Sequence, residues 1–286
     1  MAYPSPVLHL LACPRGRSFV MPREHGAWGM LLVPLATGAA AGSPSGDRVG
    51  WILLFTVAAL ALFCLRSPLE AGLGISALRP QNDVERALVR YAVSFYALMV
   101  VLCLAILMFW AHAYGLLLLG GAAGAAFLVQ TVLKQLGRHT RMTAQLTGAM
   151  ALSSTSAGAY YLATGTLNRA AAIIWLANWL FAADQIHFVQ LRIHSARALG
   201  VREKFHQGRG FLLHQAACLL LLALLWQARW LPGLILVAFG PLFVRGLVWC
   251  LESPRPLQVR RLGVRELAYA VAFGLCFIIG YHHLIG

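Results

Sequence analysis

YAVSFYALMVVLCLAILMFW, residues 91–110, runs for twenty residues without a charge. In helical form such a run rises ~30 Å, the thickness of a bilayer's hydrocarbon core. It lacks the alternation of a barrel strand, and in lipid only helices and closed barrels satisfy every backbone hydrogen bond. The expected fold class is therefore all-α, a polytopic membrane bundle.

Further runs of this kind flank it on both sides. Together they predict nine transmembrane helices, at 25–43, 51–75, 88–110, 113–133, 143–163, 170–191, 210–228, 231–250 and 266–285. They read as one integral membrane domain over residues 1–286, with a short cytoplasmic segment at 1–21. The apolar stretch Leu8–Cys13 is too short to span and no basic region precedes it, which argues against a signal peptide and weakens a lipoprotein reading of LLAC at 10–13.

Composition agrees. The chain is 60% hydrophobic and 11% charged, with a mean hydropathy of +0.72, which excludes an ordinary water-soluble domain. Lys and Arg number 23 against 9 Asp and Glu, a formal charge of +14. That excess fits nucleic acid, anionic lipid or an anionic substrate in general. Here the charges form short clusters between apolar runs, which argues against nucleic acid and for the positive-inside arrangement. Clusters precede the first span and follow the second, fourth, sixth and eighth, whereas the opposing loops hold only Arg48, Arg169 and Arg229. The expected location is the cell (inner) membrane, with the N-terminus cytoplasmic and the C-terminus outside. The six cysteines contain no CxxC pair, so neither a zinc site nor a disulfide framework is indicated.

Polar groups inside the spans are the functional candidates, because a charge at the bilayer centre costs ~2.5–3.5 kcal/mol on insertion scales. Asp184 leads them, in NWLFAADQIHFVQLRIHSAR beginning at Asn178, with His187 and Gln190 following at steps of three and Arg192 beyond. The two readings are a catalytic or ligand-binding face, and an interhelical pair of Asp184 and His187 that locks the bundle. Arg66 and Glu70 in LFCLRSPLEAGLGI are four residues apart and read either as a plain ion pair or as the lining of a cavity, since Pro68 between them is expected to kink or break the helix. Glu24 after Pro22 suits a helix start. Lys134, Arg138, His139 and Arg141 gather in one loop, where they serve topology or grip a diphosphate. The small-residue runs GGAAGAA at 120–126 and SSTSAGA at 153–159 are expected to be close-packing helix faces. Trp and Tyr near span ends, Trp230 and Tyr281 among them, read as interface anchors.

PREHGAWGMLLVPLATG at 22–38, the LRSPLE end of the second span and the arginine-bearing end of the sixth resemble the YwiC-like membrane proteins. That likeness implies no particular activity. A more distant resemblance is to the UbiA superfamily of intramembrane prenyltransferases, which implies a UbiA-like bundle of nine helices with a site open to the cytoplasm. KQLGRHTRMTAQLTG at 134–148 is similar to that family's basic segment, associated with diphosphate binding, and FAADQIHFVQLRI at 181–193 is similar to its second aspartate-rich motif. The resemblance implies catalytic roles for Asp184 and His187 and a Mg²⁺ held by Asp184. It also implies contact of Arg66, Glu70, Lys134, Arg138, Arg141, Asn178, Gln190 and Arg192 with an isoprenoid diphosphate, beside membrane lipid. Leu191 stands where the motif has a second aspartate and the first motif is absent, so Mg²⁺ has few of the hard oxygen ligands it needs. Three functions follow: a divergent prenyltransferase, a non-catalytic membrane protein that binds or transports a lipid or small anion through the same cavity, or a structural or assembly role in a membrane complex in which the polar groups lock helices together.

Overall fold

The computed structural model describes residues 14–22, 25–74, 78–195, 200–252 and 257–282. Glu24, residues 10–13, Arg197, Arg255 and residues 283–285 lie outside the described residues, as do the side chains of His25 and Arg138. Among the described residues every regular element is helical: α1 Pro14–Val20, α2 His25–Ala41, α3 Asp47–Gly72, α4 Asp83–Phe109, α5 Gly115–Gln135, α6 Arg141–Thr164, α7 Arg169–His194, α8 Val201–Gln227, α9 Gly233–Leu251 and α10 Val259–His282. A 3₁₀ turn at Arg138–Thr140 leads into α6.

Local chemistry sets several boundaries. The Asn82 side chain accepts from the Glu85 N–H at 2.7 Å at the start of α4, and Asn168 accepts from the Ala170 and Ala171 amides at the start of α7. Gly165, at φ 79°, closes α6 in the left-handed conformation that glycine adopts without strain. Helix α3 runs unbroken through Pro68, so the break expected there is absent.

Among the described residues seven helices, α3, α4, α5, α7, α8, α9 and α10, are long and apolar enough to cross a membrane. Their outer faces expose large apolar side chains such as Phe109 at 73%, Leu118 at 72% and Leu213 at 70%. Water would penalise that surface by ~25 cal/mol per Å² and lipid does not, so this is an integral membrane protein. Two helices at predicted spans differ in kind. Helix α2 is apolar but has 17 residues. Helix α6 has 24 residues and carries Ser153, Ser154, Thr155 and Ser156. Protein covers much of α6, and the hydroxyls of Ser154, Thr155 and Ser156 donate to carbonyls three residues back, each at 2.7 Å, whereas the buried Ser153 hydroxyl has no hydrogen-bond partner among the described residues.

Two compact units emerge: Met1–His25 with Gly46–Tyr114, and Gly26–Ser45 with Gly115–Gly286. In the first, α1 packs on α3 and α4 through Phe19, Ala71 and Val89. Arg15 Nε donates to Glu85 Oε1 at 2.9 Å there. In the second, α6 lies between α5 and α7, and α9 pairs with α10. The 153–159 stretch is a packing face as expected: a Cβ on Gly38 of α2 would collide with the Ser156 backbone. In the 120–126 stretch only Ala126 is buried, and a Cβ on Gly120, Gly121 or Gly124 meets nothing within 4 Å, so its glycines are not close-packing positions.

Candidate anion cavity and buried charge network

Helix α7 changes character along its length. Its first part is apolar and its second presents Asp184, Gln185, His187, Gln190 and Arg192. Asp184 and Gln185 are buried, and both find partners on other helices of the second unit. Arg245 of α9 donates from Nη2 to Asp184 Oδ2 at 2.5 Å and from Nη1 to Glu266 of α10. Gln215 of α8 donates to Asp184 Oδ1 at 3.1 Å and shares its amide with the Leu242 carbonyl at 3.1 Å. Gln185 donates to the Glu266 backbone carbonyl at 2.7 Å. The guanidinium lies 4.1 Å from the Phe188 ring centroid and 5.2 Å from that of Tyr269. One cation thus ties two carboxylates from two other helices, with aromatic rings beside it.

One turn further along α7, His187 stacks on His214 of α8 with centroids 4.3 Å apart. Beyond this stack opens a cavity of about 840 Å³, within the usual range for small-molecule sites. Its lining includes Arg141, His139, His187, Gln190, His194 and Gln207 and, among the described residues, no Asp or Glu. Ser195, 7% exposed, also lines it with a hydroxyl that has no hydrogen-bond partner among the described residues. A cationic guanidinium, imidazoles, amides and an unpartnered hydroxyl around one space suit an anion with several oxygens.

The predicted residues divide among these surroundings. Arg141, His187 and Gln190 share the large cavity. Gln190 donates to Gln145 Oε1 at 3.1 Å, which joins the 134–148 and 181–193 segments directly. Arg192 instead lines a small space of about 70 Å³ beside Arg245, Glu266 and Arg265. Asn178 accepts from Thr37 at 3.1 Å and donates to the Ile174 carbonyl at 2.9 Å, so its amide links α2 to α7. Lys134 is exposed at the end of α5. Arg66 and Glu70 belong to the first unit, where Nε and Oε1 pair at 3.0 Å.

Sequence reasoning passed over Arg245, Gln215 and Glu266. The signal was present: Arg245 is a charge inside FVRGLVWC, an otherwise apolar stretch, and Glu266 sits where a span begins.

The surroundings of Asp184 do not suit Mg²⁺. Its two oxygens face a guanidinium and a carboxamide nitrogen, both donors, where a hard cation needs further oxygens. Among the described residues no group of three or more His, Cys, Asp and Glu is placed to hold a metal ion.

Residues 21–161 match the model of the YwiC-like protein family. The match ends before Asp184, Gln215, Arg245 and Glu266. No curated protein and no solved structure matches the chain.

Proposed function

Proceeding from a chain that is YwiC-like over residues 21–161, we propose that it binds the phosphate-bearing head of an isoprenoid diphosphate, or a similar small anion, in the histidine-lined cavity. The observation that carries this reading is the lining: Arg141, three histidines and the Ser195 hydroxyl, which has no partner among the described residues, converge on about 840 Å³ with no described Asp or Glu among them. A multiply charged oxyanion gains charge-assisted hydrogen bonds there and meets no like charge. The guanidinium on Asp184 takes the place a metal would need, which favours binding or transport over transfer chemistry.

A divergent prenyltransferase of UbiA type is the second reading, supported by the Gln145–Gln190 hydrogen bond between the two segments that resemble that family's diphosphate and aspartate motifs. In either case we place the protein in the cell's inner membrane with nine spans, α2 and α6 included. Helix α2 rises only ~26 Å, but flanking residues and local thinning accommodate such a shortfall. Protein shields α6 from lipid. The arginine clusters set the N-terminus in the cytoplasm, the C-terminus outside and the histidine cavity on the cytoplasmic side.

The test is thermal stabilisation of the purified protein by geranylgeranyl diphosphate, with and without Mg²⁺, beside Arg141→Gln and His187→Ala. A shift independent of Mg²⁺ and reduced in both variants is expected. Diphosphate released in the presence of a prenyl acceptor would favour the transferase. The absence of a shift with any isoprenoid diphosphate or with inorganic diphosphate would sink both readings.

A further inference from the structure

Helix α7 begins at a second cavity. Ala170 at its start and His194 at its finish are separated by ~36 Å of helix, and Ala170, with Ile173 and Ile174, lines a space of about 710 Å³. The remaining wall comes from the end of α8, the turn after it, the start of α9 and the end of α10. It is aromatic and aliphatic: Trp226, Trp230, Phe277 and Tyr281 stand in it. The Trp226 indole lies close over Gly233, where a Cβ would sit 3.0 Å from Nε1.

The polar part of the lining is Gln227 and Arg229, with no Asp or Glu among the described residues. Arg229 is held at φ 56°, a left-handed conformation unusual for a residue with a side chain. Arg169, the neighbour of Ala170, places its guanidinium 5.2 Å from the Trp230 ring centroid. Two of the three arginines that break the charge rule in the opposing loops therefore stand at this space: Arg229 in its wall, and Arg169 with its guanidinium over the indole of the lining residue Trp230. Topology does not call for positive charge in those loops.

We infer that this aromatic cavity is a binding site for an anionic glycerophospholipid of the surrounding bilayer, its acyl chain against the Trp226, Trp230 and Phe277 wall and its phosphate between Arg169 and Arg229. The charge pattern selects the occupant. Guanidinium groups pair bidentately with phosphate oxygens. A zwitterionic head would bring its ammonium to the same cations. The wall, with half-exposed indoles at a helix end, lies where headgroups meet hydrocarbon. The site is independent of the histidine cavity, which lies at the other end of α7.

The experiment uses the full chain in detergent micelles carrying dioleoyl phosphatidylglycerol and dioleoyl phosphatidylcholine in equal amounts, with the retained lipid read by native mass spectrometry. Phosphatidylglycerol is expected to be retained about tenfold over phosphatidylcholine. The Arg169→Gln/Arg229→Gln double variant is expected to abolish the preference, while Arg48→Gln, an opposing-loop arginine outside the cavity, and Arg141→Gln, in the other cavity, keep it. Quenching of tryptophan fluorescence by brominated phosphatidylglycerol, reduced in Trp226→Phe/Trp230→Phe, gives a second readout that needs no arginine variant. Equal retention of the two lipids, an unaltered preference in the double variant, or an equal loss in Arg48→Gln would overturn the assignment. So would displacement of the lipid by farnesyl phosphate at equimolar concentration, which would give the cavity to an isoprenoid.

Discussion

Arg245 Nη2 lies 2.5 Å from Asp184 Oδ2, and neither side chain is more than 4% exposed. The same guanidinium reaches Glu266, so three helices meet on one cation. Removing one member of a buried ion pair leaves its partner charged and uncompensated, which costs roughly 3–5 kcal/mol. Arg245→Gln should therefore lower the thermal midpoint steeply, and Asp184→Asn/Arg245→Gln should lose less than the sum of the single variants. Additive losses in that double-mutant cycle would show the pair to be uncoupled.

Lys204 of α8 is 4% exposed and donates to the Trp249 carbonyl at 3.2 Å and the Glu252 carbonyl at 2.6 Å. It thus satisfies carbonyls at the end of α9 and complements the negative end of that helix. Lys204→Met should cost roughly 1–3 kcal/mol and speed hydrogen exchange in the last turn of α9. Unchanged exchange there would dismiss the capping role.

Glycines of α2 and α5 should respond in opposite ways. A Cβ at Gly38 runs into the Ser156 backbone, whereas one at Gly120 meets nothing within 4 Å. Gly38→Ala should push α2 off α6 and lower the yield of folded protein. Gly120→Ala should be neutral or stabilise by up to about 1 kcal/mol through helix propensity. Equal thermal midpoints for the two variants would contradict the packing described.

In the first unit, Glu85 is 4% exposed and accepts from the Gln81 amide at 2.7 Å and from Arg15 at 2.9 Å. Glu85→Ala should release α1 and the turn before α4, and limited proteolysis should then cut near residue 20 faster than in the parent. A cleavage rate equal to that of the parent would show that Glu85 does not hold α1 and leave that role to contacts such as Phe19 packing and the Tyr96 hydrogen bond to the Val20 carbonyl.

The membrane character and the positions of the long helices were legible in the sequence, because hydrocarbon admits only backbones that satisfy themselves and a span must be about 20 residues long. Asp184 was legible for the same reason: a lone acid in an apolar run is costly unless something holds it. Which partner holds it was not legible. Arg245 and Gln215 lie 61 and 31 residues away along the chain, and hydrophobic periodicity does not say which faces of α7, α8 and α9 meet. His187 illustrates the same limit. Spacing on α7 put it near Asp184, but α8 offers Gln215 to the one and His214 to the other. Tertiary structure alone decided that Arg141 shares a cavity with His187 and Gln190, that Asn178 joins two helices, and that Arg169 lies over the Trp230 ring. Each is a meeting of residues distant in sequence, settled by side-chain packing between helices, to which composition and periodicity are blind.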